Sequence, residues 1–334
     1  MEIRTSKRPL CPICSKQGEV LYKDLDDRIW GVAGKWTIKH CSDSECGTCW
    51  LDPVAIVEDL PLLYAKFGTH ADTAPAAGLK SWLRSFLYNV YESARFVPMS
   101  MLGLRLEKQR SASQYLDDLP PGRVLDVGCG DGRFLYRMHQ AGWTVAGLDF
   151  DPKGIEAAKS KYGRFGFELM NTDLFSARFP DNSFDAVTLG HVIEHVPDPV
   201  AIMAETKRIL KPGGRLVAIT PNVESYGQNL FRDCWRDWDP PRHLQLFSLA
   251  SLANCARKAT FTNVETKSSA AHADIVFGAS VGIKKARETG TAARGGYEIN
   301  IFRGLRGTMM QFHEARLLSA QPNCGEEAVL ICRK

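Results

Sequence analysis

The stretch that decides the fold is Val124-Leu125-Asp126-Val127-Gly128-Cys129-Gly130-Asp131-Gly132-Arg133-Phe134-Leu135. It joins a short apolar strand to a glycine-rich turn, and a helical pattern begins at Phe134 directly after the turn. A strand, a glycine-rich turn and a helix in this order form a cradle for a nucleotide. The glycines follow the spacing G-x-G-x-G rather than the G-x-G-x-x-G of a dinucleotide fold, and Asp126 stands near the strand end.

Further strand-like segments follow at regular intervals. The second, Thr144–Asp149, ends in an acid 17 residues after Gly132, where a carboxylate can accept hydrogen bonds from both hydroxyls of a ribose. Three more such segments then occur, the first of them with an acid near its end, and they are Phe167–Leu174, Phe184–Leu189 and Arg215–Thr220. Alternating strands and helices predict an α/β protein with a parallel sheet.

This series of motifs resembles the class I S-adenosylmethionine-dependent methyltransferases over about residues 115–270 and the last strand, Glu327–Cys332. The resemblance implies a doubly wound, Rossmann-like, seven-stranded sheet and S-adenosylmethionine as the cofactor. In that family the acid at Asp126 orients the amino end of the cofactor, and the acid at Asp173 contacts the adenine amino group. The cofactor-binding residues implied by the resemblance are Asp126, Gly128, Cys129, Gly130, Gly132, Asp149, Phe150, Asp173, Leu174 and Gly190.

Histidines occur where the methyl acceptor is expected. His191 and His195 follow the fourth strand, in a segment similar to the H-x-x-E-H loop of ubiquinone-biosynthesis O-methyltransferases. In those enzymes this loop flanks the transferred methyl group. Either histidine is a candidate catalytic residue, because imidazole is the natural proton acceptor near neutral pH. The alternative role is to anchor the loop by hydrogen bonds.

A third candidate catalytic residue is His243, which precedes Phe247-Ser248. The segment is similar to one in deoxysugar C-methyltransferases, which also carry an N-terminal zinc domain. Here Pro241-Arg242 stands where those enzymes have residues of a Tyr-x-Glu pattern before the histidine. The sugar C-methylation mechanism is therefore not implied, and His243 is interpreted either as a base or as an anchor for its loop.

Five of the ten cysteines lie in the first 49 residues, and four of them form two closely spaced pairs. The Cys11–Cys14 pair is a C-x-x-C knuckle, and Cys41 with Cys46 supplies a second pair followed by glycine. Four thiolates on two loops predict a structural zinc ion, with the layout of a zinc ribbon. Cys49 could replace Cys41, and a redox dithiol or buried thiols are the alternatives. Short strands are predicted between the pairs, at Val20–Tyr22, Ile29–Val32 and Trp36–Ile38.

The 334 residues are 44% hydrophobic and 24% charged, with a formal net charge of +4, which excludes a wholly disordered or fibrous chain. No window approaches the roughly 18 apolar residues of a membrane span, and no apolar signal segment opens the chain. We therefore expect a cytoplasmic protein, in which the cysteines do not form a disulfide framework. A charge this close to neutral makes nucleic acid an unlikely general partner.

The pattern predicts three regions. A zinc-ribbon domain covers residues 1–68, and a linker with a helical cap covers 69–115. Within the cap, a helix over 79–91 has an apolar face that could pack on its neighbour or touch a membrane surface. The methyltransferase domain covers 116–334 and includes a basic acceptor-side insertion at about 275–322.

Arginines of the insertion offer contacts for a phosphate on a nucleotide-linked or lipid-linked acceptor, and they are Arg294, Arg303 and Arg306. The sequence hypothesis is methyl transfer to a small molecule, a sugar or glycan precursor, or a lipid-linked acceptor, with His243 or His191 as the base. One alternative is an RNA or protein methyltransferase that grips its substrate with the ribbon. Another is an inactive, zinc-stapled interaction protein. The sequence does not indicate the oligomeric state.

Overall fold

The computed structural model describes residues 3–64, 95, 97–290 and 301–334, with the side chains of 301–303 left aside. The strands are β1 Thr5–Ser6, β2 Gly18–Leu25, β3 Trp36–Cys41, β4 Cys49–Leu51, β5 Val54–Ala55, β6 Arg123–Val127, β7 Thr144–Asp149, β8 Glu168–Asn171, β9 Phe184–Gly190, β10 Leu210–Pro221, β11 Gln245–Leu246, β12 Thr262–Ser269 and β13 Glu327–Arg333. The helices are α1 Leu104–Ala112, α2 Arg133–Gln140, α3 Pro152–Tyr162, α4 Pro199–Ile209, α5 Tyr226–Phe231, α6 Leu249–Lys258, α7 Ala273–Thr289 and α8 Ile301–Leu317.

The main sheet has seven strands in the order β12-β13-β10-β9-β6-β7-β8. The five strands from β10 to β8 run parallel, whereas β13 runs antiparallel to both β10 and β12. Helices α2 and α3 pack on β7 and β8, and α4 and α6 pack on β10 and β12. This architecture confirms the predicted α/β, doubly wound, seven-stranded sheet. The chain order reverses between β6 and β9, so a crevice opens at the carboxyl ends of these two strands.

Asp-Pro dipeptides begin two of the helices on this sheet. Asp151 caps α3 by accepting a hydrogen bond from the backbone N–H of Lys153, and Pro152 takes the first helical position. Asp198 caps α4 in the same way, through the N–H groups of Val200 and Ala201. A carboxylate cap followed by proline is favourable because the first N–H groups of a helix lack partners within the helix.

The N-terminal region forms a second sheet, the ribbon sheet, in the order β11-β4-β3-β2. Its edge strand β11 comes from a distant part of the chain, and Gln245 and Leu246 pair with Trp50 and Cys49. Cysteines of the knuckles lie in the same hydrophobic cluster as Phe247 and residues of the main sheet. The ribbon sheet is therefore joined to the larger part of the protein by both backbone pairing and core packing.

The strand predicted at Ile29–Val32 is wrong, because residues 28–30 form a turn. The carboxylate of Asp27 organises this turn by accepting hydrogen bonds from the backbone N–H groups of Ile29, Trp30 and Val32 at 2.9–3.1 Å. A side chain that satisfies the backbone locally competes with strand pairing. The preceding strand extends instead as far as Leu25.

The helix predicted over about 103–117 is shorter in the structure and ends at Ala112. Gln114 and Tyr115 follow it with φ of +47° and +51°, a backbone conformation that a right-handed helix cannot contain. The predicted helix 79–91 and Arg294 lie outside the described residues. The basic insertion contains most of α7 and the whole of α8, and Arg306 is exposed on α8.

Candidate functional site

The glycine-rich turn lies at the carboxyl end of β6. Gly128, Gly130 and Gly132 all have positive φ, between +51° and +78°. The N–H groups of Gly128 and Cys129 both donate to the carbonyl of Leu148 on β7, at 2.7 and 3.0 Å. A Cβ atom at position 128 would lie 2.5 Å from Cγ2 of Val192, so side chains are excluded there by both conformation and space. The backbone of the glycine-rich turn is therefore accessible from the crevice, with no side chain at position 128 to cover it.

Asp126 lies in β6 two residues before Gly128 and is buried. Its Oδ1 accepts a hydrogen bond from Oγ1 of Thr188 on the neighbouring strand β9, at 2.7 Å. Burial raises the pKa of Asp126 to about 7, although the Thr188 hydroxyl opposes the shift. A cationic group bound beside this carboxyl would favour its ionised form, which suits the amino end of S-adenosylmethionine.

Asp149 ends β7, and both of its oxygens accept backbone hydrogen bonds. Oδ2 accepts from the N–H of Gly130 and Oδ1 from that of Asp151, each at 2.9 Å. A carboxylate oxygen has two lone pairs, so each oxygen can still accept from a ribose hydroxyl. The next residue, Phe150, is half exposed, and its ring meets that of Tyr64 at 5.0 Å between centroids.

Asp173 follows β8, and its carboxylate caps the next turn through the N–H groups of Phe175 and Ser176 at 2.8 and 3.0 Å. Leu174 is buried beside it. At the end of β9, a Cβ on Gly190 would lie 2.5 Å from Nε2 of Gln114. The structure therefore brings all ten predicted cofactor residues to the ends of four adjacent strands, β6 to β9.

His191 follows β9 with φ of +54°, and its side chain is 51% exposed. Its Nδ1 lies 3.5 Å from Oε1 of Glu194, and its Nε2 lies 3.5 Å from Oε1 of Glu327. Desolvation lowers the pKa of His191, but the two carboxylates outweigh it and raise the pKa well above its usual value. His191 has the most exposed side chain of the three predicted histidines.

His195 and His243 lie together behind His191, with ring centroids 4.7 Å apart. Nδ1 of His195 is 3.1 Å from the carbonyl of Arg242 and 3.0 Å from the hydroxyl of Tyr64. Nδ1 of His243 is 2.6 Å from the carbonyl of Asp237. His243 is buried, and this burial lowers its pKa to about 3. The structure thus gathers all three predicted histidines around Glu194.

Several side chains of this site were not predicted from the sequence. Tyr64 reaches both Phe150 and His195 from the N-terminal region, and Glu327 reaches His191 from the last strand. Thr188 supports Asp126 from the middle of β9. None of them belongs to a local motif, since each meets its partner only through the pairing of distant segments.

The two cysteine pairs meet in a single cluster. The sulfur atoms of Cys11, Cys14, Cys41 and Cys46 all lie within 4.8 Å of one another, and Cys49 is outside this group. The donor set fits zinc, because four thiolates at this spacing can surround a tetrahedral ion and leave no open position for water. The metal would be held by these four residues and would stabilise the ribbon rather than take part in chemistry.

Residues 103–266 match the sequence family described as Methyltransferase domain. This match, the strand order and the glycine-rich turn identify the matched segment as a class I S-adenosylmethionine-dependent methyltransferase domain, and S-adenosylmethionine is the cofactor of that family. The resemblance predicted from the motifs is confirmed.

Among curated relatives, the chain is 36% identical over 110 residues to a ubiquinone biosynthesis O-methyltransferase of Thiobacillus denitrificans, covering 31% of this chain and 47% of the relative. It is 35% identical over 127 residues to a demethylmenaquinone methyltransferase of Bacillus licheniformis, covering 36% and 55%. The chain spans about half the length of these two relatives. A solved structure of a SAM dependent methyltransferase from Archaeoglobus fulgidus is similar with a TM-score of 0.45 and 19% identity, over 69% of this chain and 94% of that one.

Among the residues that the structure describes, none of the helices combines the length and the apolar character that crossing a membrane requires.

Proposed function

We propose that this protein transfers the methyl group of S-adenosylmethionine to a nucleophilic atom of a small-molecule acceptor. The observation that carries the proposal is that the predicted cofactor residues and the histidines are contiguous in the sequence. The cofactor residues end at Gly190, and the histidine group begins at the next residue, His191. An acceptor held against His191 would therefore lie beside the cofactor.

The reaction is an in-line displacement in which the acceptor–carbon bond forms as the bond from carbon to the sulfonium sulfur breaks. The protein has to hold the two reactants in near-attack geometry and to accept a proton when the nucleophile is a hydroxyl or a carbon acid. Of the two candidate bases, His191 has a half-exposed side chain, whereas that of His243 is 6% exposed. We therefore place His191 against the acceptor, where its raised pKa favours the protonated ring and a role in holding the acceptor oxygen, and His243 in a supporting position.

The curated relatives support a small aromatic acceptor, because their names place them in ubiquinone and menaquinone biosynthesis. A hydroxylated aromatic ring is the acceptor class we favour. A phosphate-bearing sugar or lipid precursor is the second class, for which exposed Arg306 offers a cation.

A role of the ribbon in gripping RNA or protein has less support. The ribbon sheet takes β11 from the larger part of the protein, and Oγ of Ser248 donates a hydrogen bond to the carbonyl of Cys46 at 2.8 Å. These contacts favour a ribbon that stabilises the acceptor side of the domain. The intact acids Asp126 and Asp149 likewise speak against an inactive interaction protein.

Calorimetry with S-adenosylhomocysteine and a methylation screen test the proposal. The full chain should bind S-adenosylhomocysteine, and Asp149→Ala should weaken binding at least about tenfold, since hydrogen bonds to a charged group are each worth about 1.5–3 kcal/mol. The matched control is Asp131→Asn, an acid of the same turn that pairs with Arg133 and Lys161 at 2.8 and 3.2 Å. Isotopically labelled methyl groups should appear on catechols or other hydroxylated aromatics. Labelling of RNA or protein alone would contradict the proposal.

A further inference from the structure

A second group of side chains that could hold a metal ion lies far in sequence from the cysteine cluster. Glu194, His195 and His243 each offer one ligand atom, and these three atoms lie within 4.8 Å of one another. The site is enclosed, because Glu194 and His243 are buried and the side chain of His195 is 22% exposed. At this spacing, one ion can bind all three side chains.

Backbone carbonyls favour the same tautomer in both histidines. The carbonyls of Asp237 and Arg242 can only accept hydrogen bonds, so Nδ1 of His243 carries a proton, and Nδ1 of His195 carries one when the Tyr64 hydroxyl beside it accepts rather than donates. The lone pair of each ring is then on Nε2. A histidine that donates its other ring N–H to a backbone carbonyl is the usual arrangement around a bound metal.

Glu194 provides an independent observation. Its Oε2 accepts a hydrogen bond from Oγ1 of Thr220 at 2.9 Å, which orients the carboxylate. Its Oε1 is buried and accepts no hydrogen bond from the residues that the structure describes. The nearest nitrogen atoms are Nδ1 of His191 at 3.5 Å and Nε2 of His195 at 4.0 Å. The longer contact with His191 compensates this buried oxygen only in part, and a cation at the centre of the group would stabilise it further.

We propose that Glu194, His195 and His243 bind one divalent transition-metal ion beside the S-adenosylmethionine site. Two imidazole nitrogens and one carboxylate oxygen suit Mn²⁺, Fe²⁺, Co²⁺ or Zn²⁺ better than Mg²⁺, which prefers oxygen ligands. Three protein ligands leave open positions for an exogenous oxygen. His191 lies 3.5 Å from Glu194 and has a half-exposed side chain, so it marks the side from which that oxygen would enter.

The role of the ion rests on the proposed function. An acceptor hydroxyl bound to the ion loses its proton more readily, because the cation stabilises the alkoxide or phenoxide. The proton passes to water, the oxygen–methyl bond forms, the bond from methyl to the sulfonium breaks, and S-adenosylhomocysteine leaves as a neutral thioether. The atoms and charges balance without an oxidant or a further reactant.

Mn²⁺ titration of the zinc-loaded full chain tests the site, with S-adenosylhomocysteine bound and free Mn²⁺ followed by electron paramagnetic resonance. Mn²⁺ is the probe because it disfavours the thiolates of the ribbon. We expect one Mn²⁺ per chain, and more than about tenfold weaker binding in Glu194→Gln and His195→Gln. His139→Gln is the histidine control, since His139 lies on α2 against Phe165 and Phe167 and should bind Mn²⁺ as the wild type does.

The site is disproved if the wild-type chain binds no Mn²⁺. This result comes from the wild type, so it stands even where a variant folds poorly. S-adenosylhomocysteine affinity and methyl transfer, measured on the same samples, separate the two proposals. Mn²⁺ binding without cofactor binding would overturn the proposed function and leave the site, whereas methyl transfer without any Mn²⁺ binding would overturn the site alone.

Discussion

Arg242 and Asp27 form a buried ion pair that joins the ribbon to the acceptor side. Nη1 of Arg242 donates to Oδ2 of Asp27 at 2.7 Å, although 215 residues separate them, and both side chains are at most 1% exposed. Asp239 accepts from the same guanidinium at 2.6 Å. The carbonyl of Arg242 in turn contacts Nδ1 of His195. Arg242 thus links the turn at Asp27 in the ribbon to the histidine group.

This arrangement predicts that Arg242→Met destabilises the protein by about 3–5 kcal/mol, because it leaves Asp27 and Asp239 buried without their shared cation. Equilibrium unfolding in urea measures the change. The control is Arg28→Gln, which removes a partly exposed pair with Asp26 and should cost less than about 1 kcal/mol. Equal losses of unfolding free energy in the two variants would show that the buried Arg242–Asp27 pair stabilises the protein no more than the partly exposed pair does.

The same residues show where sequence reasoning succeeds and where it stops. The glycine-rich turn and Asp149 were predicted because each lies at the end of its own strand, within a contiguous motif. Arg242 stood out only as a departure from the sugar C-methyltransferase pattern, and its ionic partner could not be found by any local rule. The two-residue strand β11 was missed for the same reason, since its pairing with Cys49 and Trp50 depends on the assembled fold.

The cysteine cluster predicts opposite outcomes for two neighbouring cysteines. Cys41→Ser should lose the zinc ion and lower the melting temperature of the whole chain, because the ribbon sheet and the main sheet share packing. Cys49→Ala should keep one zinc per chain, since its sulfur lies outside the cluster. Elemental analysis and thermal melts measure both effects. Zinc retained in Cys41→Ser but lost in Cys49→Ala would reverse the ligand assignment.

The raised pKa of Asp126 predicts that cofactor binding depends on pH. Burial raises its pKa to about 7, so below that pH the free protein holds the neutral acid, whereas the cofactor's ammonium favours the carboxylate. Binding of S-adenosylhomocysteine should then release up to about one proton at pH 6, and affinity should fall at most about tenfold per pH unit below 7.

Calorimetry at pH 6 in two buffers of different ionisation enthalpy counts the protons released on binding. Asp126→Asn keeps the shape of the side chain and an oxygen for the Thr188 hydroxyl, but cannot ionise. It should bind more weakly and release fewer protons. An unchanged proton count in Asp126→Asn would assign the linkage to another group.

Alanine substitutions at Gly128 and Gly166 separate the effect of backbone strain from the effect of a steric clash at the cofactor site. Both glycines have positive φ, at +75° and +70°, so an alanine at either position carries a similar conformational cost of about 1–2 kcal/mol. At Gly128 the added Cβ also meets Cγ2 of Val192 at 2.5 Å, whereas nothing lies within 4 Å of the Cβ position at Gly166. Gly128→Ala should therefore weaken S-adenosylhomocysteine binding by more than about tenfold, because the turn must shift away from the cofactor. Gly166→Ala should lose stability alone and bind as the wild type does. Equal binding by the two variants in calorimetry would mean that the turn at Gly128 does not approach the cofactor.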